Sequence, residues 1–395
     1  MKKRISILGS TGSIGVSTLD VLARHSEAFE VFALSAHVQV DVMLKQCMSF
    51  KPQFAVMVDP LSAKSLEEKI KHTGLSTRVL SGPEALDTVA SHPEVDMVMA
   101  AIVGAAGLSS CLAAARAGKR LLLANKEALV VGAEVFTSAL KASGATLLPI
   151  DSEHSAIFQS LPDDPSTWRQ NIAKIILTAS GGPFRTFEPD RLKGVTVQEA
   201  CAHPTWVMGR KISVDSATMM NKALEVIEAY YLFGVEPEQL EVVIHPQSVI
   251  HSMVEYLDAS VVAQLGTPDM RVPIAYGLSW PKRMASGAKA IDFSRVSAMT
   301  FESFEDPLHQ RRYPGLPLAW QVLKAPKGST AVLNAANEVG VGAFLEERIR
   351  FDQIHALNVE TLSAYIPHAP SHLEDLLEID RVARRVAQEL ITQLH

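Results

Sequence analysis

Three carboxylates in the middle of the chain have the chemistry of a metal site. Asp151 and Glu153 stand two residues apart, directly after an apolar run. If this stretch is extended, alternation places both side chains on one face, roughly 7 Å apart. Glu225 lies on a segment of helical periodicity that opens at Asp215. Carboxylates without cysteine form an oxygen ligand set, which favours Mg²⁺ or Mn²⁺ over structural zinc. The alternative is a helix N-cap at Asp151 and a solvated helix face around residue 225.

Two further segments carry groups that bind phosphate. Ser180 and two glycines follow an apolar run, and a hydroxyl beside two glycines can present donors to an anion. The helical segment after Asp215 adds Ser216, Asn221 and Lys222. Together these groups predict one phosphate site. The Ser180 fragment alone is equally typical of an ordinary Gly-Gly-Pro turn.

A loop at residues 203–211 carries Trp206 and Met208 between a proline and a glycine. This composition predicts a lid that closes over a substrate and excludes water. A buried connector is the alternative, because Trp and Met are common in protein cores. Farther along, His245 and His251 flank the start of a strand-like segment. They could be ligands, phosphate donors or hydrogen-bonded residues of a sheet.

Regularly spaced glycines follow the first apolar run. Residues 9–15 read Gly-Ser-Thr-Gly-Ser-Ile-Gly and precede an amphipathic segment at 17–23. Such glycines let the backbone approach a pyrophosphate at a helix N-terminus, so the motif predicts a dinucleotide site. A tight turn without a ligand is the alternative. No acid follows the second apolar run before Asp41. An NAD site usually has one there, so NADPH is favoured.

Short apolar runs must position these groups. Over residues 1–150 they alternate with amphipathic stretches, which is typical of a buried parallel sheet with crossover helices. We expect an α/β protein with a doubly wound, Rossmann-like cofactor domain at 1–150 and a central α+β catalytic domain at 151–280. A proline-bearing linker at 281–315 leads to a helical domain at 316–395, with helices at 331–347 and 381–394. The strands predicted in the first domain are 4–8, 31–34, 54–58, 97–102, 120–123 and 146–150.

Composition limits the partners. A chain of 395 residues predicts two or three domains. It has 37 basic and 43 acidic residues, and this net charge of −6 disfavours nucleic-acid binding. Three widely spaced cysteines fit neither a disulfide framework nor a zinc ribbon. The longest apolar run, 97–108, is too short to cross a bilayer. We therefore expect a cytoplasmic protein without a membrane partner.

Taken together, the motifs closely resemble those of the 1-deoxy-D-xylulose 5-phosphate reductoisomerase family. The match runs in order from residue 4 to about 345. It implies a homodimer, with dimerisation through 151–280, that uses NADPH and a divalent metal. The reaction would convert the ketose phosphate into 2-C-methyl-D-erythritol 4-phosphate in non-mevalonate isoprenoid synthesis. The matching motifs are 9–15, 124–127, 151–154, 180–184, 203–209, 215–222 with Glu225, 245–251 and 333–338.

The resemblance also implies a role for each matching residue. The catalytic groups would be Lys126 and the three metal ligands, Asp151, Glu153 and Glu225. The substrate would also contact Ser152 at its hydroxyl and carbonyl end, and its phosphate would be bound by Ser180, Ser216, Asn221 and Lys222. Residues near or over the substrate would be His203, Trp206, Met208 and His251. NADPH would contact Thr11, Gly12, Ser13, Ile14, Asn125, Glu127 and Gly209.

Two positions depart from the family pattern. Where the family commonly has Gly-Lys-Asn after the second strand, this chain has His37-Val38-Gln39 and so lacks a cation facing the 2′-phosphate. We expect Gln39 to keep the amide contact with the cofactor. Ala259 stands where a glycine is usual, which affects a turn and not the chemistry.

Two other functions remain open from the residues. A metal-independent NADP-linked dehydrogenase with Cys201 as its nucleophile would explain the glycine motif but would leave the three carboxylates unused. A non-enzymatic, dinucleotide-sensing dimer would bind the cofactor without turning over a ketose phosphate.

Overall fold

A parallel sheet of seven strands organises the first part of the protein in the computed structural model, which describes residues 2–206, 208–294, 296 and 298–393. Its strand order is β4-β3-β2-β1-β5-β6-β7, and every neighbouring pair is parallel. The order reverses between β1 and β5, as in doubly wound folds, whose ligands bind outside the carboxyl ends of the strands at such a point. The strands are β1 (Lys3–Leu8), β2 (Phe29–Ala36), β3 (Phe54–Met57), β4 (Arg78–Ser81), β5 (Met97–Ala100), β6 (Arg120–Leu123) and β7 (Thr146–Pro149).

All six predicted strands of this sheet are confirmed, but β4 was missed. It lies at the edge of the sheet, where its side chains are half-buried or exposed, so it lacks the continuous apolar run of a central strand. The strand predicted at 146–150, which Asp151 follows, is therefore the seventh strand of the chain and not the sixth.

A second sheet of five strands is mixed, with the order β11-β10-β8-β9-β12. The central strand β8 pairs in parallel with β9 and antiparallel with β10. The half-buried strand predicted from residue 249 onward is confirmed as β10. The strands are β8 (Ile172–Ala179), β9 (Leu240–Ile244), β10 (Ile250–Tyr256), β11 (Val261–Leu265) and β12 (Glu302–Ser303).

Helices cover both parts of the chain and dominate its C-terminal region. After residue 316 the described part of the chain contains helices and no strand, which confirms the predicted helical tail, although Leu394 of the predicted last helix lies outside the described residues. The α-helices are α1 (Ser13–Arg24), α2 (Val40–Phe50), α3 (Pro60–Lys71), α4 (Glu84–Ser91), α5 (Leu108–Arg116), α6 (Lys126–Ser143), α7 (Ser152–Ser160), α8 (Trp168–Asn171), α9 (Val197–Cys201), α10 (Arg210–Ala217), α11 (Met220–Phe233), α12 (Arg271–Ser279), α13 (Pro307–Arg312), α14 (Leu318–Lys324), α15 (Ser329–Leu345), α16 (Phe351–Ala364) and α17 (Leu373–Ile391). Short 3₁₀ helices occur at Ala105–Gly107, Pro165–Thr167, Pro189–Gly194 and Pro237–Gln239.

The chain divides into two compact units. The first comprises Met1–Ala128, Phe136–Ser155 and Asp269–Lys289, and the second comprises Leu129–Val135, Ala156–Pro268 and Ala290–His395. Helix α12 therefore returns to the first unit, where Arg271 pairs with Asp20 of α1. The three functional domains and the linker predicted from the sequence stay a prediction. Among the described residues, no helix is both long and apolar enough to cross a membrane.

Candidate active site

The glycine loop, residues 9–15, lies where the strand order of the first sheet reverses. It connects β1 to α1, and Gly9 has a φ of +84°. A Cβ on Gly9 would lie 2.6 Å from the carbonyl oxygen of Ala101, just beyond β5. A Cβ on Gly15 would lie 2.4 Å from the carbonyl oxygen of Gly9. Close backbone packing therefore requires glycine at both positions and brings the loop against the end of β5.

Solvent reaches the N-terminus of α1, where the cofactor contacts were predicted. Gly12 is the N-cap, and neither it nor Ser13 is buried. Thr11 and Ile14 beside them are half-buried. In contrast, Ser10 is fully buried and bonds to Gln46 over 2.7 Å. The accessible amides at this helix end are suited to an anionic group such as a pyrophosphate.

The predicted departure after the second strand lies at the same edge of the sheet. His37, Val38 and Gln39 follow β2 directly and are all exposed, with Val38 53% exposed. Gln39 is the N-cap of α2. The side chain of Val38 is thus accessible to solvent but carries no charge.

Asn125 has a structural task at the end of β6. Its Oδ1 accepts a hydrogen bond from the amide of Ala128 over 3.1 Å, and its Nδ2 donates to the carbonyl of Gly104 over 3.1 Å. The side chain therefore caps α6 and fixes the loop after β5. Lys126 and Glu127 begin the helix that it caps, and Glu127 is buried.

Asp151 follows β7 and is held by two basic residues. Lys126 Nζ lies 2.7 Å from its Oδ2, and His154 Nδ1 lies 3.2 Å from its Oδ1. Burial alone would raise the pKa of Asp151, but the charges and hydrogen bonds of Lys126 and His154 outweigh it and hold the pKa well below its usual range. The result is a persistent carboxylate beside an ammonium group.

The prediction that residues 151–153 are extended is wrong. Helix α7 begins at Ser152, and Asp151 Oδ1 accepts a hydrogen bond from the amide of Glu153 over 3.3 Å. Asp151 satisfies a free helix amide in this way, as an N-cap does. The metal site predicted at this residue stays a prediction. Glu153 lies in the first turn and accepts a 2.5 Å hydrogen bond from Ser152 Oγ.

A Ser-Gly-Gly turn, residues 180–182, follows β8 in the second unit. Gly181 and Gly182 have φ values of +80° and +62°, a region that favours glycine. A Cβ on Gly182 would lie 2.8 Å from the carbonyl oxygen of Ser216, so the turn lies directly against the second predicted phosphate donor. Tyr313 donates a 2.6 Å hydrogen bond to the carbonyl of Gly181 and holds the turn from the other side.

His203 orients the hydroxyl of Ser180. Its Nδ1 accepts hydrogen bonds from the amides of Thr205 and Trp206, at 3.2 and 2.9 Å. The ring proton therefore sits on Nε2, 2.9 Å from Ser180 Oγ, and that oxygen also accepts from the amide of Gly182 over 3.1 Å. Burial lowers the pKa of His203, which favours this neutral ring. The hydroxyl hydrogen of Ser180 is left for an anion.

The helix predicted to open at Asp215 is two helices. Asp215 and Ser216 lie in the last turn of α10, which ends at Ala217, and α11 begins at Met220. Met219 between them has a φ of +61°, a left-handed conformation that ends the first helix. The phosphate segment, residues 216–222, thus bends sharply, which the uniform helical pattern did not reveal.

Glu225 of α11 is buried between two predicted phosphate ligands. Lys222 Nζ donates to its Oε2, and Asn221 Nδ2 donates to its Oε1. Lys222 and Glu225 are only 3% and 1% exposed, so the prediction of a solvated face is wrong for them. A buried carboxylate needs such charged and hydrogen-bonded partners.

The two histidines near β10 have different roles. His245 is a structural residue: its Nδ1 bonds to the carbonyl of Thr300 over 2.9 Å and its Nε2 accepts from the amide of Val249 over 3.2 Å. His251 is buried in the sheet, and burial lowers its pKa to about 4. Its ring lies 6.2 Å from that of Trp206 in the predicted lid.

The lid loop, residues 203–211, is partly accessible. Trp206 and Met208 are half-buried, Gly209 is the N-cap of α10, and Val207 lies outside the described residues. These side chains are thus partly covered and partly accessible, and their role as a lid stays a prediction. Cys201, just before the loop, approaches the carbonyl of Arg210 at 3.9 Å, and within the described ranges no basic side chain hydrogen-bonds to it.

Two residues at the site were missed from the sequence. Tyr313 lies in the predicted linker, and its hydroxyl bonds to Gly181, a residue 132 positions away. His154 belongs to the matching motif at 151–154, but its pairing with Asp151 follows from the helix start at Ser152, which was not predicted.

Comparison with known proteins gives one consistent result. Two models of 1-deoxy-D-xylulose 5-phosphate reductoisomerase, for the enzyme and its C-terminal domain, match residues 5–133 and 147–233. A third, the DXP reductoisomerase C-terminal domain, matches residues 265–386.

Individual relatives cover nearly the whole chain. The reductoisomerase of Aromatoleum aromaticum is 54% identical over 393 residues, which is 98% of this chain and 96% of that one. The Stutzerimonas stutzeri enzyme is 54% identical over 386 residues, 97% and 96% of the two chains. Among solved structures, the Zymomonas mobilis reductoisomerase in complex with NADPH has a TM-score of 0.92 at 44% identity and 99% coverage of both chains. A DOX-P reductoisomerase complex with NADPH, fosmidomycin and magnesium has a TM-score of 0.94 at 42% identity, again with 99% coverage of both.

Proposed function

Because the chain belongs to the 1-deoxy-D-xylulose 5-phosphate reductoisomerase family, we propose that it rearranges and reduces 1-deoxy-D-xylulose 5-phosphate to 2-C-methyl-D-erythritol 4-phosphate with NADPH and a divalent cation. Family membership makes it an NADPH-dependent enzyme of isoprenoid synthesis. The observation that carries the proposal is a pair of carboxylates, Asp151 and Glu225, that are each held next to a lysine.

The donor set fits a hard divalent cation. We propose Asp151, Glu153 and Glu225 as its ligands, because carboxylate oxygens without thiolates suit Mg²⁺ or Mn²⁺. The pKa of Asp151 is already depressed, so this ligand needs no deprotonation before it binds an ion. A solved relative is a complex with magnesium, which supports the assignment. When bound, the cation supplies positive charge to the substrate oxygens that gain negative charge.

Lys126 and Ser152 are proposed to bind the reacting end of the substrate. The Lys126 side chain is only 12% exposed, and its Nζ lies 2.7 Å from Asp151 Oδ2, so the ammonium group lies beside the proposed metal ligand. An ammonium group here can donate a hydrogen bond to a substrate hydroxyl and compensate its developing charge. Ser152 begins α7, where its hydroxyl already contacts Glu153.

The phosphate of the substrate is proposed to bind to Ser180, Ser216, Asn221 and Lys222. The Ser-Gly-Gly turn packs directly against the backbone of Ser216 in the phosphate segment, which supports one shared phosphate site within the second unit. Ser180 contributes a free hydroxyl hydrogen, and Lys222 contributes a positive charge. His203, His251, Trp206 and Met208 would then enclose the substrate and exclude water.

The cofactor is proposed to bind across the glycine loop, with contacts to Thr11, Gly12, Ser13, Ile14, Gln39, Asn125, Glu127 and Gly209. The accessible amides of α1 suit its pyrophosphate. A solved relative in complex with NADPH supports this choice of cofactor. When bound, NADPH supplies the hydride for the reduction. Exposed Val38 offers no charge to the 2′-phosphate.

We also propose that the enzyme is a homodimer that associates through β11. This strand is an edge of the second sheet, and its residues Val261 and Val262 are 49% and 44% exposed. An exposed apolar edge strand is a template for pairing with another chain. Leu257 in the preceding turn is 71% exposed and enlarges the apolar surface.

The assignment of functions to the chain follows from these sites. Residues 1–150 are proposed to bind cofactor, 151–280 to hold metal and substrate and to dimerise, 281–315 to link, and 316–395 to form a helical support. The cytoplasm is the proposed location, because all three cysteines are unpaired thiols, as is usual in a reducing compartment.

One assay tests the function directly. The purified protein is mixed with 1-deoxy-D-xylulose 5-phosphate, NADPH and Mg²⁺ or Mn²⁺, and NADPH oxidation is followed by absorbance. We expect turnover that stops after chelation and returns when the metal is restored. Turnover that persists without metal would instead favour the metal-independent dehydrogenase, and cofactor binding without any turnover would favour a dinucleotide sensor.

A further inference from the structure

A buried hydrogen bond joins the C-terminal helices to the phosphate segment. Asn337 of α15 donates from Nδ2 to Oδ1 of Asp215 over 2.7 Å, although the two residues are 122 positions apart. Both side chains are buried, with 0% and 1% exposure. Asp215 immediately precedes Ser216, the first proposed phosphate ligand of the segment.

The carboxylate of Asp215 is held on both oxygens. Lys211 Nζ lies 3.0 Å from Oδ2, one helical turn away on α10. On the other side, Asn358 of α16 donates to Oδ1 of Asn337 over 3.4 Å, which orients the amide of Asn337 with its NH₂ group toward Asp215. The position of Asp215 is therefore set by two helices of the C-terminal region.

Asp215 in turn leads into the bend of the phosphate segment. Thr218 Oγ1 donates to the carbonyl of Asp215 over 3.2 Å, and the amide of Met219 donates to the carbonyl of Ser216 over 3.1 Å. Met219 is the residue with positive φ, and the turn that it makes sets the direction in which Asn221 and Lys222 leave. A displacement of Asp215 would pass directly into this turn.

We infer that Asn337 is a positioning residue for the phosphate half of the substrate site, an inference that rests on the proposed function. Asn337 anchors Asp215 and so fixes Ser216, Asn221 and Lys222 in the arrangement that binds one phosphate. Within the described part of the chain, the hydrogen bonds of Asn337 go to Asp215 and Asn358, neither of which is proposed to bind substrate, metal or NADPH. This gives the helical C-terminal region a specific task beyond covering a core.

The test replaces the side-chain amide of Asn337 by an apolar group of similar size, so no cavity is created. In Asn337→Leu, Asp215 keeps Lys211 but loses its 2.7 Å hydrogen bond. We expect the KM for 1-deoxy-D-xylulose 5-phosphate and the Kd of inorganic phosphate, measured by calorimetry, to rise by about tenfold, which corresponds to about 1.4 kcal/mol, because the phosphate segment loses its anchor. The Kd of NADPH should stay unchanged.

Asn334→Leu is the matched control. Asn334 lies on the same helix, is equally buried and donates to Glu338 over 3.3 Å, not to Asp215. The control should leave phosphate affinity unchanged even if it lowers the melting temperature. An equal loss of phosphate affinity in both variants, or none in Asn337→Leu, would overturn the inference.

If Asn337→Leu does not fold, an exchange of the carboxylate and the amide between positions 215 and 337 tests the same inference. Asn337→Asp places two carboxylates together and should weaken phosphate binding, whereas adding Asp215→Asn restores a pair of amide and carboxylate and should recover part of it. No recovery in the double variant contradicts the inference. Because phosphate binding is measured without turnover, an inactive wild-type protein would refute the proposed function while the phosphate comparison still decides this inference.

Discussion

The Nε2 atom of His203 lies 2.9 Å from the hydroxyl oxygen of Ser180. The other ring nitrogen, Nδ1, accepts hydrogen bonds from two backbone amides of the same loop. One ring therefore links the lid loop to the Ser-Gly-Gly turn and fixes the direction of a hydroxyl hydrogen. The hydrogen bond joins two motifs that are 23 residues apart in sequence.

Removing the Ser180 hydroxyl should weaken phosphate binding specifically. We expect Ser180→Ala to raise the KM for substrate by about tenfold, since one hydrogen bond to a charged group is lost. The affinity for NADPH should not change. Steady-state kinetics with each substrate varied in turn measure both constants. Ser363→Ala, which removes an exposed hydroxyl from α16, is the control; a wild-type KM in Ser180→Ala would exclude Ser180 from the phosphate site.

Glu225→Gln tests the metal assignment. The substitution keeps the size of the side chain but removes a negative charge that Lys222 neutralises and to which Asn221 donates a hydrogen bond. We expect a higher metal concentration for half-maximal activity, turnover lowered by at least about a hundredfold, and nearly unchanged NADPH affinity. Metal titrations of activity and a separate NADPH binding measurement provide the comparison. An equal loss of metal and NADPH affinity would show that Glu225 has a structural role instead.

The parts of the fold that depend on local pattern could be predicted from the sequence. The central strands have apolar runs, and the glycines of the glycine loop are residues that its tight backbone packing requires. Two local errors came from backbone geometry that the pattern does not encode. Asp151 caps a helix where alternation allowed a strand, and the left-handed Met219 splits a segment of continuous helical periodicity.

Long-range partners could not be predicted in this way. Tyr313 and Asn337 reach residues more than a hundred positions away, and nothing in their immediate neighbours indicates the partner. The roles of the individual site residues came from the ordered motifs, because the spacing of acids and hydroxyls alone suits a helix cap or a turn equally well.

Val38→Lys tests the missing cation at the cofactor site. Val38 is 53% exposed just after β2, where a lysine could approach the 2′-phosphate of NADPH. We expect the Kd of NADPH to fall by up to about fivefold, as for an exposed ion pair, with little change for NADH. Fluorescence titration measures both. Leu61→Lys, at another exposed position of the first unit, should change neither. An unaltered Kd in Val38→Lys would mean that another group already compensates for the cation.

A charge on the edge strand should disrupt the proposed dimer. Val262→Glu places a carboxylate in the exposed apolar surface of β11. A charged side chain on an edge strand opposes pairing with another chain. We expect a monomer by analytical ultracentrifugation at concentrations where the wild-type protein is a dimer. Val359→Glu on α16 introduces the same charge at a residue that is 39% exposed and should leave the dimer intact. A Val262→Glu protein that stays dimeric would rule out association through β11.

The burial of His251 should make stability depend on pH. Its pKa is about 4 in the folded protein, because burial disfavours the charged ring, against about 6.5 in an unfolded chain. Between these values the unfolded chain binds more protons, so the stabilisation is complete above pH 6.5 and is lost as the pH falls toward 4. The loss should approach about 3 kcal/mol.

Comparison with His251→Gln isolates this contribution. The free energy of unfolding in urea is measured from neutral to acidic pH for the wild type, for His251→Gln and for His72→Gln, which replaces an exposed histidine. The contributions of all other titrating groups to the free energy of unfolding cancel in the difference between wild type and variant. We expect His251→Gln to lose less stability than the wild type as the pH falls, and His72→Gln to follow the wild type. Parallel curves for all three proteins would show that His251 is solvated and has no lowered pKa.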